Sequence, residues 1–387
     1  MQTDVLIVGA GPYGVAVAEE LYAQGTDFVI VGHPFALWYD HTLDCMFLRS
    51  DRQASQIHNP DDRYDFVEWL AKTGEGAALV DDRVPVAVYR RYLDDVTALL
   101  PYPIERQLVT ALARHGEGFR ATLEDGTTVE SRVAVIATGI GTHRHVPEEV
   151  AALDDRWVLH SWDTDAIQEI EDKHVLVIGS GQSGAETARS LRLGENRVTW
   201  VLRHDPFWFS EPLRLPPRLF KLAMKGSAAF YRLPLGIRQM LSGAVFRTTI
   251  TPGLKPVYED PEVRTLIADA AGLRLSSRDD GVHSALTGVT YDLVVSATGF
   301  RCSATGLPFL DQDLATELDK ATVKSPGQAG IAAPRLDTNF STRVPNLFML
   351  GGIAEGSYGP AQRFILGSRQ AAPRIARAVQ QSFAAAA

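Results

Sequence analysis

Cysteine is scarce in this chain: only Cys45 and Cys302 occur among 387 residues. With neither C-x-x-C nor C-x-x-x-x-C spacing, they exclude a disulfide framework, a thiolate metal cluster and a dithiol redox centre. Long apolar runs are missing too, so no membrane span is expected. Positive charge is in deficit. The formal net charge is −9, which argues against a general nucleic-acid binder, because phosphate contacts draw on surplus lysine and arginine. The first strand pattern begins a few residues after Met1, which leaves no room for a signal peptide. A cytoplasmic protein of a reducing compartment is expected. With 45% of residues hydrophobic and 22% charged, the chain can bury a large core and about two domains.

Glycine, by contrast, is placed with purpose. The run V-L-V-I-G-S-G-Q-S-G-A-E from Val175 reads as a buried strand, a turn and a helix start, with Gly179, Gly181 and Gly184 spaced as G-x-G-x-x-G. The three glycines serve a tight turn, room for a pyrophosphate against bare backbone, and close helix–sheet packing. An anion then sits on the free N–H groups of the helix N-terminus. An earlier copy, V-L-I-V-G-A-G-P-Y-G, runs from Val5 through Gly9, Gly11 and Gly14. A tight strand–helix turn without ligand accounts for one copy alone. Two copies have an economical explanation: one flavin and one nicotinamide dinucleotide, placed to exchange a hydride.

Between and beyond the turns the chain alternates strand and helix patterns. The second strand, Phe28 to Val31, is followed by Gly32 and His33, where a ribose-binding acid is usual. An irregular segment over a cofactor is expected from residue 35 to about 63, then helices at Tyr64–Lys72 and Val86–Leu100. Asp125-Gly126 signals a hairpin. V-A-V-I-A-T-G ends at Thr138-Gly139, and L-V-V-S-A-T-G-F carries Thr298-Gly299; both read as chain crossings between nucleotide domains. After the strand Val198–Leu202, Arg203 stands where a 2′-phosphate would lie, which favours NADPH over NADH; a solvated arginine is the alternative. Late in the chain a strand ends at Gly351-Gly352. Gly359-Pro360 then precedes a helix expected from about Gln362 to Val379, its N-terminus aimed at a flavin ring.

The fold class expected is α/β, with two Rossmann-like domains and the NADPH domain inserted into the FAD domain. The boundaries expected are 1–150 for the first part of the FAD domain, 151–290 for the NADPH domain and 291–387 for the return segment. Residues 206–260 form a basic insertion. From Arg203 to Lys255 there are nine lysines and arginines against two acids, +7 in a chain of net −9. Helices with solvated basic faces explain this; so does a docking surface for an acidic or amphiphilic partner such as a carrier protein.

The chain resembles the class B flavin monooxygenases, most closely the microbial lysine and ornithine N-hydroxylase-like branch. The resemblance rests on G-A-G-P-Y-G-V-A-V-A with Pro12, and on F-x-x-W…M-F-L-R-S…N-P…Y-x-F-x-x-W-L through Trp38, Arg49, Asn59 and Tyr64. G-S-G-Q-S-G-A-E, with Gln182 and Ser183, and the His160-Ser161 pair complete it. The longer F-x-G-x-x-x-H fingerprint is not intact. The resemblance implies an FAD- and NADPH-dependent monooxygenase that passes one oxygen atom of O₂ through a C4a-(hydro)peroxyflavin to nitrogen or sulfur of a small molecule. Trp38, Thr138, Gly139, Thr298, Gly299, Gly352, Gly359 and Pro360 join the two turns as expected cofactor contacts. Arg49, Gln56 and Asn59 are the expected polar residues at the flavin's reactive edge. No metal is implied, and a homo-oligomer is expected. Two rivals stand beside it: a disulfide or peroxide reductase using Cys45, and a flavin-binding sensor without catalysis.

Overall fold

The computed structural model describes residues 1–206, 208, 233–234, 236–240, 250–325 and 331–386. Most of the basic insertion expected at 206–260, including Arg214, Arg218 and Lys221, therefore lies outside the described residues. Two sheets organise the rest. In the first, β1 (Gln2–Val8) runs parallel to β2 (Phe28–Val31) on one side. On the other side it pairs with β5 (Thr128–Ile136), the last strand of a meander with β3 (Val109–His115) and β4 (Gly118–Leu123). Val5 to Val8 are buried, as a parallel strand covered on both faces requires.

The second sheet is parallel throughout. Its order is β6 (Val158–His160), β13 (Leu293–Ser296), β7 (His174–Ile178), β8 (Arg197–Leu202) and β9 (Val263–Ile267). A small antiparallel sheet of β10 (Leu275–Arg278), β11 (Gly281–Ser284) and β12 (Val289–Tyr291) precedes β13, and β14 (Thr322–Ser325) pairs with β15 (Ile331–Pro334). The chain then returns to the first sheet, where β16 (Leu347–Met349) lies parallel to the end of β5. One expected boundary shifts here. β13 was assigned to the return segment from 291, yet it hydrogen-bonds at the heart of the second sheet. The reason is its burial: Val294 and Val295 are fully enclosed, and a short apolar strand is most stable between two partners.

The helix Pro12–Ala23 follows β1 and presents Val15, Ala16, Val17, Ala18 and Leu21 to the core. The helix Gln182–Leu193 repeats that arrangement after β7. The C-terminal helix packs on Pro12–Ala23 but begins at Ser368, not near Gln362. Two short 3₁₀ turns, Pro360–Arg363 and Ile365–Gly367, come first, because Phe364 is extended (φ −115°, ψ 155°) and breaks any continuous helix. No described helix is long and apolar enough to cross a membrane.

Candidate functional site

The two glycine turns are built by the same steric rule. A Cβ on Gly9 would lie 2.5 Å from the carbonyl oxygen of Ala137, and one on Gly14 would lie 1.8 Å from that of Gly9. In the second turn a Cβ on Gly179 would lie 2.2 Å from the oxygen of Ala297, and one on Gly184 would lie 2.3 Å from that of Gly179. Gly9 (φ +109°) and Gly179 (φ +158°) also occupy backbone conformations that side chains disfavour. The middle glycines differ. A Cβ on Gly11 or Gly181 would meet nothing within 4 Å, so bare backbone there faces open space.

Gly11 and Gly181 are the N-caps of their helices, and neither cap has a side-chain hydrogen bond. The first backbone bonds run from Val15 N–H to Gly11 and from Ala185 N–H to Gly181. The N–H groups ahead of them point out of the helix end toward that space. Both cradles fit a pyrophosphate.

The strand ends beside the turns explain the missing acid. Gly32 (φ +147°) packs so closely that a Cβ would lie 2.7 Å from the Ala10 nitrogen, so no larger residue can end β2. Gly32 N–H donates to Glu105 O, and Glu105 N–H donates to Ile30 O, each at 2.9 Å. A distant segment thus brings the backbone of half-buried Glu105 to this edge. At the second site Arg203 is exposed at the end of β8, its backbone N–H bonded to Ser180 Oγ at 2.7 Å.

Over the first turn lies the returning chain. Tyr13 Oη sits 2.8 Å from the carbonyl of Phe364 and 2.9 Å from that of Gln362, donating into the 360–364 turn. Gly359 (φ +88°) and Pro360 start this turn. Gly352 abuts Ile140 and Cys302, 3.1 and 3.2 Å from a hypothetical Cβ, whereas Gly139 (φ +72°) is open. The hydroxyl of Thr298 donates to the His145 carbonyl, and Gly299 accepts from His145 N–H at 2.9 Å. Those two residues brace the connection between the sheets. Gln182 is similarly engaged: its amide donates to Glu186 at 2.8 Å and accepts from Thr251 N–H at 2.9 Å.

Between the two units is a cavity of about 160 Å³. Trp38, Leu43 and Met46 line it from the first unit, Ser183, Glu186 and Thr187 from the second, with Ile140, Trp162 and Phe300 closing it. His41 stacks on Trp162 at 4.0 Å between ring centroids and clasps the two units together. Two polar atoms here are buried without a partner, Trp38 Nε1 and Thr187 Oγ1. Burial pushes the Glu186 carboxyl up to about 7, against the lowering pull of Gln182, Arg49 and Arg189.

Arg49 stacks over Phe364, its guanidinium carbon 5.8 Å from the ring centroid. Burial lowers its pKa, and Arg363 lowers it further. Gln56 and Asn59 are buried, but their amides serve their own loop: Gln56 donates to Asp62 at 3.1 Å, and Asn59 donates to Asp61 and accepts from Tyr64 N–H. Of the three expected polar residues, only Arg49 reaches the returning chain. Cys45 packs against the second core, and burial pushes its thiol up; a nucleophilic thiol needs the opposite shift. Sequence reasoning missed Tyr13, whose hydroxyl meets the returning chain, and Gln362 and Thr187, whose buried polar atoms lack a partner.

The chain is similar to the family model described as pyridine nucleotide-disulphide oxidoreductase over residues 6–214. It is 30% identical over 217 residues to the probable indole-3-pyruvate monooxygenase YUCCA7 of Arabidopsis thaliana, covering 51% of this chain and 46% of that protein. Thus the chain spans about half the length of the curated relatives it matches. Among solved structures it resembles the ornithine N-hydroxylase of Kutzneria sp. 744 at a TM-score of 0.76 and 17% identity, covering 99% of this chain and 100% of that one. The bacillithiol disulfide reductase of Staphylococcus aureus follows the same fold at a TM-score of 0.67 and 16% identity, with 99% of each chain covered. Both likenesses are of fold, shared by a hydroxylase and a reductase alike. With more than half its length, both Gly9 and Gly184 included, inside the matched region, the chain belongs to the pyridine nucleotide-disulphide oxidoreductase family.

Proposed function

We propose that the chain is an FAD- and NADPH-dependent monooxygenase that oxygenates a nitrogen, or a sulfur, of a small molecule. The observation that carries this reading is the pair of glycine cradles, Gly11 and Gly181, with a largely apolar cavity between their domains. Likeness to monooxygenases in sequence and in fold supports it. When bound, FAD supplies the redox chemistry with O₂, and NADPH supplies the hydride.

This chain's residues do the rest. The Gly11 and Gly181 N-termini bind the two pyrophosphates, and Arg203 takes the 2′-phosphate. Trp38, Met46, Trp162 and Phe300 keep water from the space between the cofactors. Arg49 sets a positive charge at the flavin's edge. A carboxyl near pH 7 at Glu186 can accept the proton of an incoming ammonium, leaving a neutral nitrogen able to react. The raised thiol of Cys45 speaks against the reductase.

NADPH oxidation by purified holoenzyme, screened over free and carrier-bound amines, thioethers, ketones and disulfides with hydrogen peroxide measured alongside, tests the reading. Consumption coupled to a hydroxylamine, N-oxide or sulfoxide is the expected result. Tight coupling only to a disulfide overturns it.

A further inference from the structure

We infer that the cavity between the two units admits an amine with an apolar body and no carboxylate, a substrate class that rests on the monooxygenase reading above. The cavity has one polar wall. Ser183, Glu186 and Thr187 line it and stand at positions i, i+3 and i+4 of the helix Gln182–Leu193, so they share one helix face. Glu186 gives Oε1 to the Gln182 amide at 2.8 Å. Its Oε2 receives no hydrogen bond among the described residues and keeps accessible surface, which leaves it for a donor in the cavity.

The facing wall is apolar. Leu37, Trp38, Leu43 and Met46 come from the first unit, and the rings of Trp162 and Phe300 close the end. Two hydroxyls in this lining are turned to backbone: Thr42 Oγ1 donates to Trp38 O at 2.7 Å, and Thr164 Oγ1 donates to Asp40 O at 3.0 Å. His41 gives its Nδ1–H to the Trp162 carbonyl at 3.0 Å and its face to the Trp162 ring. A ligand with one polar head and an apolar body matches the two walls.

Charge decides which head fits. Among the described residues no lysine or arginine lines the cavity, whereas Glu186 does. Arg49 and Arg189 act on Glu186 from outside the lining, and burial outweighs both. An ammonium therefore finds its counter-charge at Oε2, with aromatic faces beside it. A carboxylate on the same molecule would be buried near Glu186 without a partner, which is strongly unfavourable. The cavity of about 160 Å³ is smaller than the roughly 300–1,000 Å³ of a drug-sized pocket, and suits a single ring or a short branched chain.

Calorimetric titration of the FAD-loaded protein without NADPH tests the class, using phenethylamine, phenethyl alcohol and phenylalanine, which share one ring. Wild type should bind the alcohol about ten-fold, and phenylalanine about a hundred-fold, more weakly than the amine. Isoamylamine should exceed leucine in the same way. Glu186→Gln should lose about ten-fold for the amine and treat amine and alcohol alike. Should that variant not fold, the wild-type order decides alone. Phenylalanine bound as tightly as the amine, no preference for amine over alcohol, or no binding of any of them overturns the inference. A folded Glu186→Gln that keeps the preference does so too. The expected order combined with NADPH consumption coupled only to a disulfide overturns the oxygenase reading and leaves the amine site standing.

Discussion

The two glycine turns obey one backbone rule and differ in what surrounds them. In each, the outer glycines are held against carbonyls of the turn or of the neighbouring A-T-G strand end, and the middle glycine faces space. Tyr13 follows Pro12 in the first turn, and its hydroxyl ties the returning chain over the cradle. The corresponding residue of the second turn is Ser183, which faces the cavity. Gly32 seals the first strand end, whereas Arg203 stands exposed at the second. A cradle with the returning chain tied beside it suits a ligand that stays; one with an exposed arginine at its strand end suits a ligand that comes and goes. That contrast underlies the proposal of FAD at the first turn and NADPH at the second.

The comparison breaks most sharply at the middle glycines. Gly11→Val should fold within about 1 kcal/mol of wild type, since a helix cap residue is being changed in open space, yet purify colourless. Gly181→Val should stay yellow and resist reduction by NADPH. Gly14→Ala, by contrast, forces a methyl into the Gly9 carbonyl and should cost about 3 kcal/mol in denaturant unfolding. A yellow Gly11→Val protein would remove the first site; normal reduction of Gly181→Val would remove the second.

Arg203 sharpens the contrast. If it takes the 2′-phosphate, Arg203→Ala loses roughly 1.5–3 kcal/mol for NADPH, about one to two orders of magnitude in affinity, and leaves NADH unaffected. Stopped-flow reduction with both nicotinamides gives the ratio, and an unchanged ratio assigns Arg203 to solvent.

The effect spread over the widest pH range concerns Glu186, raised from 4.5 to about 7 by burial. Below about pH 4.5 both folded and unfolded chains hold it protonated. Between there and pH 7 the unfolded chain ionises first, so this group makes stability fall as pH rises. Glu186→Gln should therefore match wild type near pH 4.5 and exceed it by up to roughly 3 kcal/mol at pH 8, as a shift of this size implies. Urea unfolding of the flavin-free protein at the two pH values measures it. An equal difference at both refutes the buried acid.

Much of the fold was legible because it is local. G-x-G-x-x-G after four apolar residues specifies strand, turn and helix within a dozen positions, and Asp125-Gly126 made the expected hairpin between β4 and β5. The C-terminal helix was misjudged by six residues because nothing in G-P-A-Q-R announces an extended Phe364. Asn59 and Gln56 looked catalytic because they are polar residues amid aromatics; only the coordinates reveal their amides turned into their own loop.

By itself the sequence determined the two cradles as motifs: Gly14 and Gly184 are each held by the glycine five positions before, whereas Gly9 and Gly179 press on Ala137 and Ala297, over a hundred positions away. It also determined the positive strand end at Arg203 and the absence of a disulfide framework. Tertiary structure decided the rest. The placement of β13 in the second sheet, the cover of the first cradle by a turn nearly 350 positions away, the unpaired amide of Gln362 and the cavity shared by Trp38 and Thr187 all depend on segments distant in sequence. Burial and hydrogen-bond pairing are properties of neighbours in space, and a chain records only neighbours in order.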